Sequence, residues 1–104
     1  MKDNIVNLDL AATGLFRTFT GPAGGYPVQL EGTLTTGEFV YFRSRGQKAS
    51  LTVSHTDDLT ADPIVRYEEV VTPDDPQGAS TLPVERCVAL IKAWLGQYLA
   101  VRQS

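Results

Sequence analysis

Between Val28 and Ser54 the chain exchanges apolar for polar residues at almost every step. Val28, Leu30 and Leu34 alternate with Gln29, Glu31 and Thr33, the period of two that places one set of side chains on each face of a strand. Gly32 falls in the apolar set, where it admits a bulge or leaves room for a neighbour. Thr35, Thr36 and Gly37 supply a turn, so a second strand from Phe39 to Arg43 folds back as a hairpin. Gly46 provides a residue tolerant of positive φ before a third strand, in which Ala49, Leu51 and Val53 alternate with Ser50, Thr52 and Ser54. A polar connection, His55 to Pro63, leads to "IVRYEEVV", read as a fourth strand. If Val65 and Tyr67 face inward with Val71, then Arg66 and Glu68 face water; the pattern leaves the reverse orientation open.

The period changes at Pro83. Val84, Cys87, Val88, Leu90, Ile91, Trp94, Leu95, Tyr98, Leu99 and Val101 occupy about half the circumference of one helix running to about Val101. Thr81 is the expected cap, Pro83 fits the first turn, and Leu82, held out of helical angles by the following proline, marks a competing boundary. At about 28 Å such a helix spans several strands. The stretch before it, "TPDDPQGAST", reads as a bridge broken by Pro73, Pro76 and Gly78.

At the amino end two periods compete. Leu8, Ala11, Ala12, Leu15, Phe16 and Phe19 recur at helical spacing with Asn7 as a cap, which favours a short helix, while "LFRTFT" suits an extended segment and Gly14 interrupts the helix. The glycines and prolines of "GPAGGYP" then break regular structure. These elements predict a single α+β domain over residues 1–104: an antiparallel sheet of about four strands, a long C-terminal helix packed across it and a short N-terminal helix.

Composition narrows the function classes. With 42% hydrophobic and 20% charged residues the chain is an ordinary globular one, and 104 residues suit one core. No apolar run reaches the roughly 18 residues of a membrane span, and Asp3 and Asp9 stand where a secretory leader needs basic and then apolar residues, so a cytoplasmic protein without membrane attachment is expected. The helix has only Arg86 and Lys92 as basic groups on its polar side, too few for a typical membrane-surface helix. Nine basic against twelve acidic residues give a net charge of −3, so the chain as a whole does not attract phosphate backbones. The charge is uneven, however: Arg43, Arg45 and Lys48 stand together, while acids dominate from Asp57 to Asp75. The two regions either face each other or present a two-signed surface.

Most catalytic constellations are missing from the pattern. His55 with Asp57 and Asp58 suggests a metal, but one histidine and no ligand spacing favour a polar turn, and no cofactor is expected. Cys87 lies on the apolar arc, where desolvation suppresses the thiolate, so it reads as core. No GxSxG element or phosphate-binding glycine loop occurs, and Glu68 and Glu69 point to opposite strand faces. An enzyme would instead require titratable groups converging on a pocket, with His55 as the natural centre.

One pattern stands out from this background. Phe39, Tyr41, Arg43 and Arg45 fall on every second residue and therefore on one face of a strand. The plainest expectation is that the aromatics support the core while the arginines reach toward water or the acidic segment. Two functional readings compete with it. Tyr41, Arg43, Arg45 and Lys48 serve as contacts in a non-enzymatic accessory or inhibitory domain that binds another protein, with Asp57 to Asp75 as a second patch. Alternatively Phe39, Tyr41, Arg43 and Arg45 form a platform for single-stranded nucleic acid, ranked second because the chain is acidic and no second aromatic strand accompanies it. The width of the helix's apolar arc also allows a homodimer that covers part of it.

Overall fold

The computed structural model describes residues 7–56 and 62–102. Its elements run α1 (Leu8–Ala12), β1 (Phe16–Gly24), β2 (Val28–Leu34), β3 (Phe39–Arg45), β4 (Lys48–Ser54), β5 (Val65–Val70), a 3-10 turn (Gly78–Thr81) and α2 (Val84–Arg102). The strands form one antiparallel sheet in chain order, each hairpin placing the next strand beside the last.

The competing periods at the amino end divide the segment. Asn7 caps α1, its side-chain oxygen accepting from the Leu10 N–H at 3.1 Å, but the helix stops at Ala12. From Phe16 the chain is extended, and this strand brings the sheet to five. Its register with β2 shifts between Phe16 and Thr18 and again between Thr20 and Ala23, so the edge is twice bulged. Phe16 and Phe19, which fit a helix by spacing, come together instead across the first bulge with ring centroids 4.8 Å apart. Gly32 gives them room: a Cβ there would lie 2.6 Å from Phe19 Cβ and 2.8 Å from the Thr18 carbonyl.

The core sits between one face of the sheet and α2. Leu30, Phe42, Leu51 and Tyr67 form one inward row, and Gly32, Val40, Val53 and Val65 form the next. Val65 and Tyr67 thus face inward, and Arg66 and Glu68 outward. From α2 come Cys87, Val88, Ile91, Trp94, Leu95 and Tyr98, all buried, with Leu90 and Leu99 partly so. Trp94 stacks on Tyr67, centroids 6.1 Å apart and planes 8° apart, and lies 6.5 Å from Phe42. Val84 and Val101, assigned to the same arc by spacing, are exposed at its ends.

Thr81 does not cap α2. It closes the 3-10 turn, Leu82 adopts extended angles as the pre-proline rule requires, and the Pro83 carbonyl accepts from the Arg86 and Cys87 amides to begin the helix. The 3-10 turn also fixes the β3–β4 hairpin. Ser44 Oγ donates to the Ala79 carbonyl at 2.7 Å, and the Gly46 amide donates to Ser80 Oγ at 2.9 Å, with Gly46 at φ +66°. Helix α1 contacts α2 and contributes Leu10 to the same core. Both helices therefore lie on one side, and among the described residues no helix covers the other face of the sheet.

Candidate binding face

Strand β3 separates the two environments. Val40 and Phe42 are buried on the side of α2 and Ser44 is buried against the 3-10 turn, whereas Phe39, Tyr41, Arg43 and Arg45 point the opposite way. This corrects the expectation that the aromatics support the core. Phe42 and Val40 fill it, and Phe39 and Tyr41 lie half-buried on the open face, flanked by neighbouring strands.

The pairing register sets the rows of that face. Arg43 lies between Gln29 and Ser50, and Ser50 is next to Glu68. Arg45 faces Lys48 directly across the hairpin, with Val70 beyond. Tyr41 lies between Glu31 and Thr52, followed by Arg66. The four predicted contact residues are thus brought onto one surface. Arg66, which alternation placed only as facing water, joins them.

Arg43, Arg45, Lys48, Ser50, Arg66 and Glu68 line an open hollow of about 410 Å³. Its charge is unbalanced. Among the described residues Glu68 is paired with Arg66 at 3.4 Å, and the one other ion pair, Arg102 with Glu38, lies elsewhere. Arg43, Arg45 and Lys48 are exposed and have no ion pair among these residues. Toward the other end, a larger cleft of about 630 Å³ is bordered by Phe16, Thr18, Glu31, Thr33 and Phe39. The open face thus carries aromatic and hydroxyl groups beside Arg17 at one end and a group of cations at the other.

Within the acidic region Glu68 pairs with Arg66, and among the described residues no carboxylate of this region forms an ion pair with Arg43, Arg45 or Lys48. Asp57 and Asp58 lie outside the described residues, as does any metal arrangement built on them with His55. Asp62, Asp74 and Asp75 are exposed, and Asp75 is engaged in its own turn, accepting from the Gln77 amide at 3.0 Å. Among the described residues no three His, Cys, Asp or Glu side chains cluster as metal ligands, and no helix is long and apolar enough to cross a membrane.

A pocket of about 350 Å³ does gather titratable groups around His55, the geometric condition set for an enzyme: Glu38, Tyr98 and Arg102 line it with Thr36 and Ile64. Its chemistry is that of a tether. Thr36 and Tyr98 donate hydroxyl hydrogen bonds to the two Glu38 oxygens, and Arg102 Nε approaches at 3.1 Å. Burial alone would raise the Glu38 pKa, but the hydrogen bonds from Thr36 and Tyr98, its own backbone amide and the Arg102 charge together pull it below 4.5. Burial, then the Glu38 hydrogen bond and charge, push Tyr98 above 10.0. Both groups move away from neutrality, whereas a general acid or base is tuned toward it. No local pattern in the chain announces this cluster, because Glu38 and Tyr98 are 60 positions apart and meet only when α2 crosses the sheet.

Cys87 is fully buried, with Sγ 3.8 Å from the Leu82 carbonyl, and desolvation raises its pKa to about 11 against a smaller opposing effect of Arg86. It is core filling, not an activated nucleophile.

No protein-family model matches the chain, and comparisons with curated proteins and with solved structures return no match.

Proposed function

We propose that the protein is a non-enzymatic recognition domain that binds another protein on the open face of its sheet, with Tyr41, Arg43, Arg45 and Lys48 as principal contacts and Arg66 beside them. The observation that carries this reading is the uncovered face itself, where cations without ion pairs among the described residues stand beside half-buried aromatics. Tyr and Arg suit protein interfaces because each combines apolar area with directed hydrogen bonds. The sheet is a rigid support, and binding there proceeds by shape and charge complementarity with no bond made or broken.

The test is affinity capture from the native organism with the wild-type chain and with the Arg43→Glu/Arg45→Glu/Lys48→Glu variant. A partner held by the first and lost by the second, with unchanged circular dichroism and melting, supports the reading. A partner retained by the charge-reversed chain rejects this surface.

The second reading, a platform for single-stranded nucleic acid, draws support from Phe39 and Tyr41 sharing the open face with Arg43 and Arg45. It predicts oligonucleotide binding that weakens steeply with added salt.

A further inference from the structure

We infer that the partner contributes an extended acidic segment lying along β3, with carboxylates at alternate positions over Arg43 and Arg45 and apolar side chains at the following alternate positions over Tyr41 and Phe39. This rests on the protein-recognition reading of the face and adds the chemistry of what it recognises.

Like charges stand side by side on this face. Arg45 and Lys48 are direct cross-strand neighbours, an arrangement that disfavours the sheet, and Arg43 follows two residues along the same face. The rows of β2 to β5 on this side carry four cations, Arg43, Arg45, Lys48 and Arg66, against two carboxylates, Glu31 and Glu68. The chain has twelve acidic residues and a net charge of −3, yet leaves this local excess positive. Glu68 is already taken by Arg66, and Glu31 sits in the row of Tyr41. A negatively charged partner removes the repulsion that the fold leaves in place.

The spacing then selects the form of the anion. Alternate residues of a strand lie about 6.6–6.8 Å apart, and neighbouring strands about 4.8 Å apart. Arg43 and Arg45 therefore present two cations at the repeat of a second extended chain, and Lys48 widens the site toward β4. One compact anion drawn between the two arginines by their long side chains leaves Tyr41 and Phe39 unoccupied, whereas an extended peptide with acids at every second residue meets each arginine in turn and continues along the strand. Continuing at the same repeat brings its next outward-facing residues over Tyr41 and Phe39, where the surface turns aromatic.

Glu31 distinguishes a peptide from a nucleic acid. It is the direct cross-strand partner of Tyr41, so a carboxylate flanks the ring on which a base would stack and past which a phosphate would run. An uncharged residue of a peptide meets no such repulsion. Arg43, Arg45 and Lys48 thus concentrate positive charge toward one end of β3, matching a ligand whose charge is also concentrated at one end.

Fluorescence anisotropy with labelled peptides tests the inference directly. One peptide carries two leucines and two glutamates at alternate positions, a second has both glutamates replaced by glutamine, a third places the glutamates side by side, and a labelled oligothymidylate is the fourth probe. The alternating acidic peptide is expected to bind at least about tenfold more tightly than the other three. Its binding is lost in Arg43→Glu/Arg45→Glu and weakened in Arg43→Gln/Arg45→Gln, while Lys92→Glu, on the exposed side of α2, leaves it unchanged. Equal binding of all peptides, tighter binding of the oligothymidylate, or no peptide binding overturns the inference. If no peptide binds but the triple charge reversal still loses the captured partner, the chemistry assigned to the segment falls and the face stands; if the reversal keeps the partner, the face itself is wrong.

Discussion

Gly32 and Gly96 show how the same substitution takes opposite signs in different surroundings. A methyl group at Gly32 would meet Phe19 Cβ and the Thr18 carbonyl well inside contact distance, and both lie on or beside backbone that a rotamer change cannot move. Gly32→Ala is therefore expected to destabilise by about 1–3 kcal/mol, the usual cost of overpacking. Gly96 is exposed inside α2 with nothing within 4 Å of an added methyl, so Gly96→Ala should stabilise by about 0.5–1 kcal/mol through helix propensity. Urea denaturation of both variants checks the pair, and a shift of the same sign in each would contradict the packing at β1. At Cys87 burial and a pKa of about 11 predict a thiol inert to a chromogenic disulfide reagent in the folded chain and fully titrated after unfolding. Rapid reaction under native conditions would place this thiol at the surface.

Among the elements, α2 depends on attachments at both ends. Its start is set by Pro83 after the 3-10 turn, and its last turns are fixed to the beginning of β3 through Tyr98, Arg102 and Glu38. The pH dependence follows from the directions of the two shifts. Glu38 is depressed, so its contribution is present above 4.5 and is lost as the pH falls through its lower folded value; Tyr98 is raised, so its contribution is present below 10.0 and is lost as the pH rises through its higher folded value. The stability difference between wild type and Glu38→Gln should accordingly be constant near neutrality and shrink below pH 4.5. Chemical denaturation across that range measures it, and a difference that persists into strong acid would show that the carboxylate charge contributes nothing to the tether. Much of this level was legible in the chain. Alternation located β2 and β4, runs of aromatic and β-branched residues located β3 and β5, and the arc from Cys87 to Tyr98 located α2. The segment from Leu8 to Thr20 was ambiguous because Phe16 and Phe19 fit helical spacing, and only the bulge between Phe16 and Thr18 lets a strand place both on one side. The Glu38 tether had no local signal, being a contact between distant elements.

At the scale of the whole molecule, the sheet has two faces of different character. One is sealed by α2 and filled with aliphatic and aromatic side chains, while the other presents aromatics, hydroxyls and a group of cations in an otherwise acidic protein. That Tyr41, Arg43 and Arg45 share a face was legible because alternation alone puts them together; which side faced the helix was not, since both faces of β3 carry bulky residues. Recognition through such a face should be steered by charge, with association slowed by added salt more than dissociation is quickened. The division of β3 into a covered and an uncovered side is the claim on which the binding proposal stands. Hydroxyl-radical footprinting of the free chain, read by mass spectrometry, tests it most directly. Oxidation is expected at Tyr41 and Phe39, with exposed Tyr26 as the reference, and protection at Phe42 and Trp94. Strong oxidation of Trp94 and Phe42 with Tyr41 protected would contradict it.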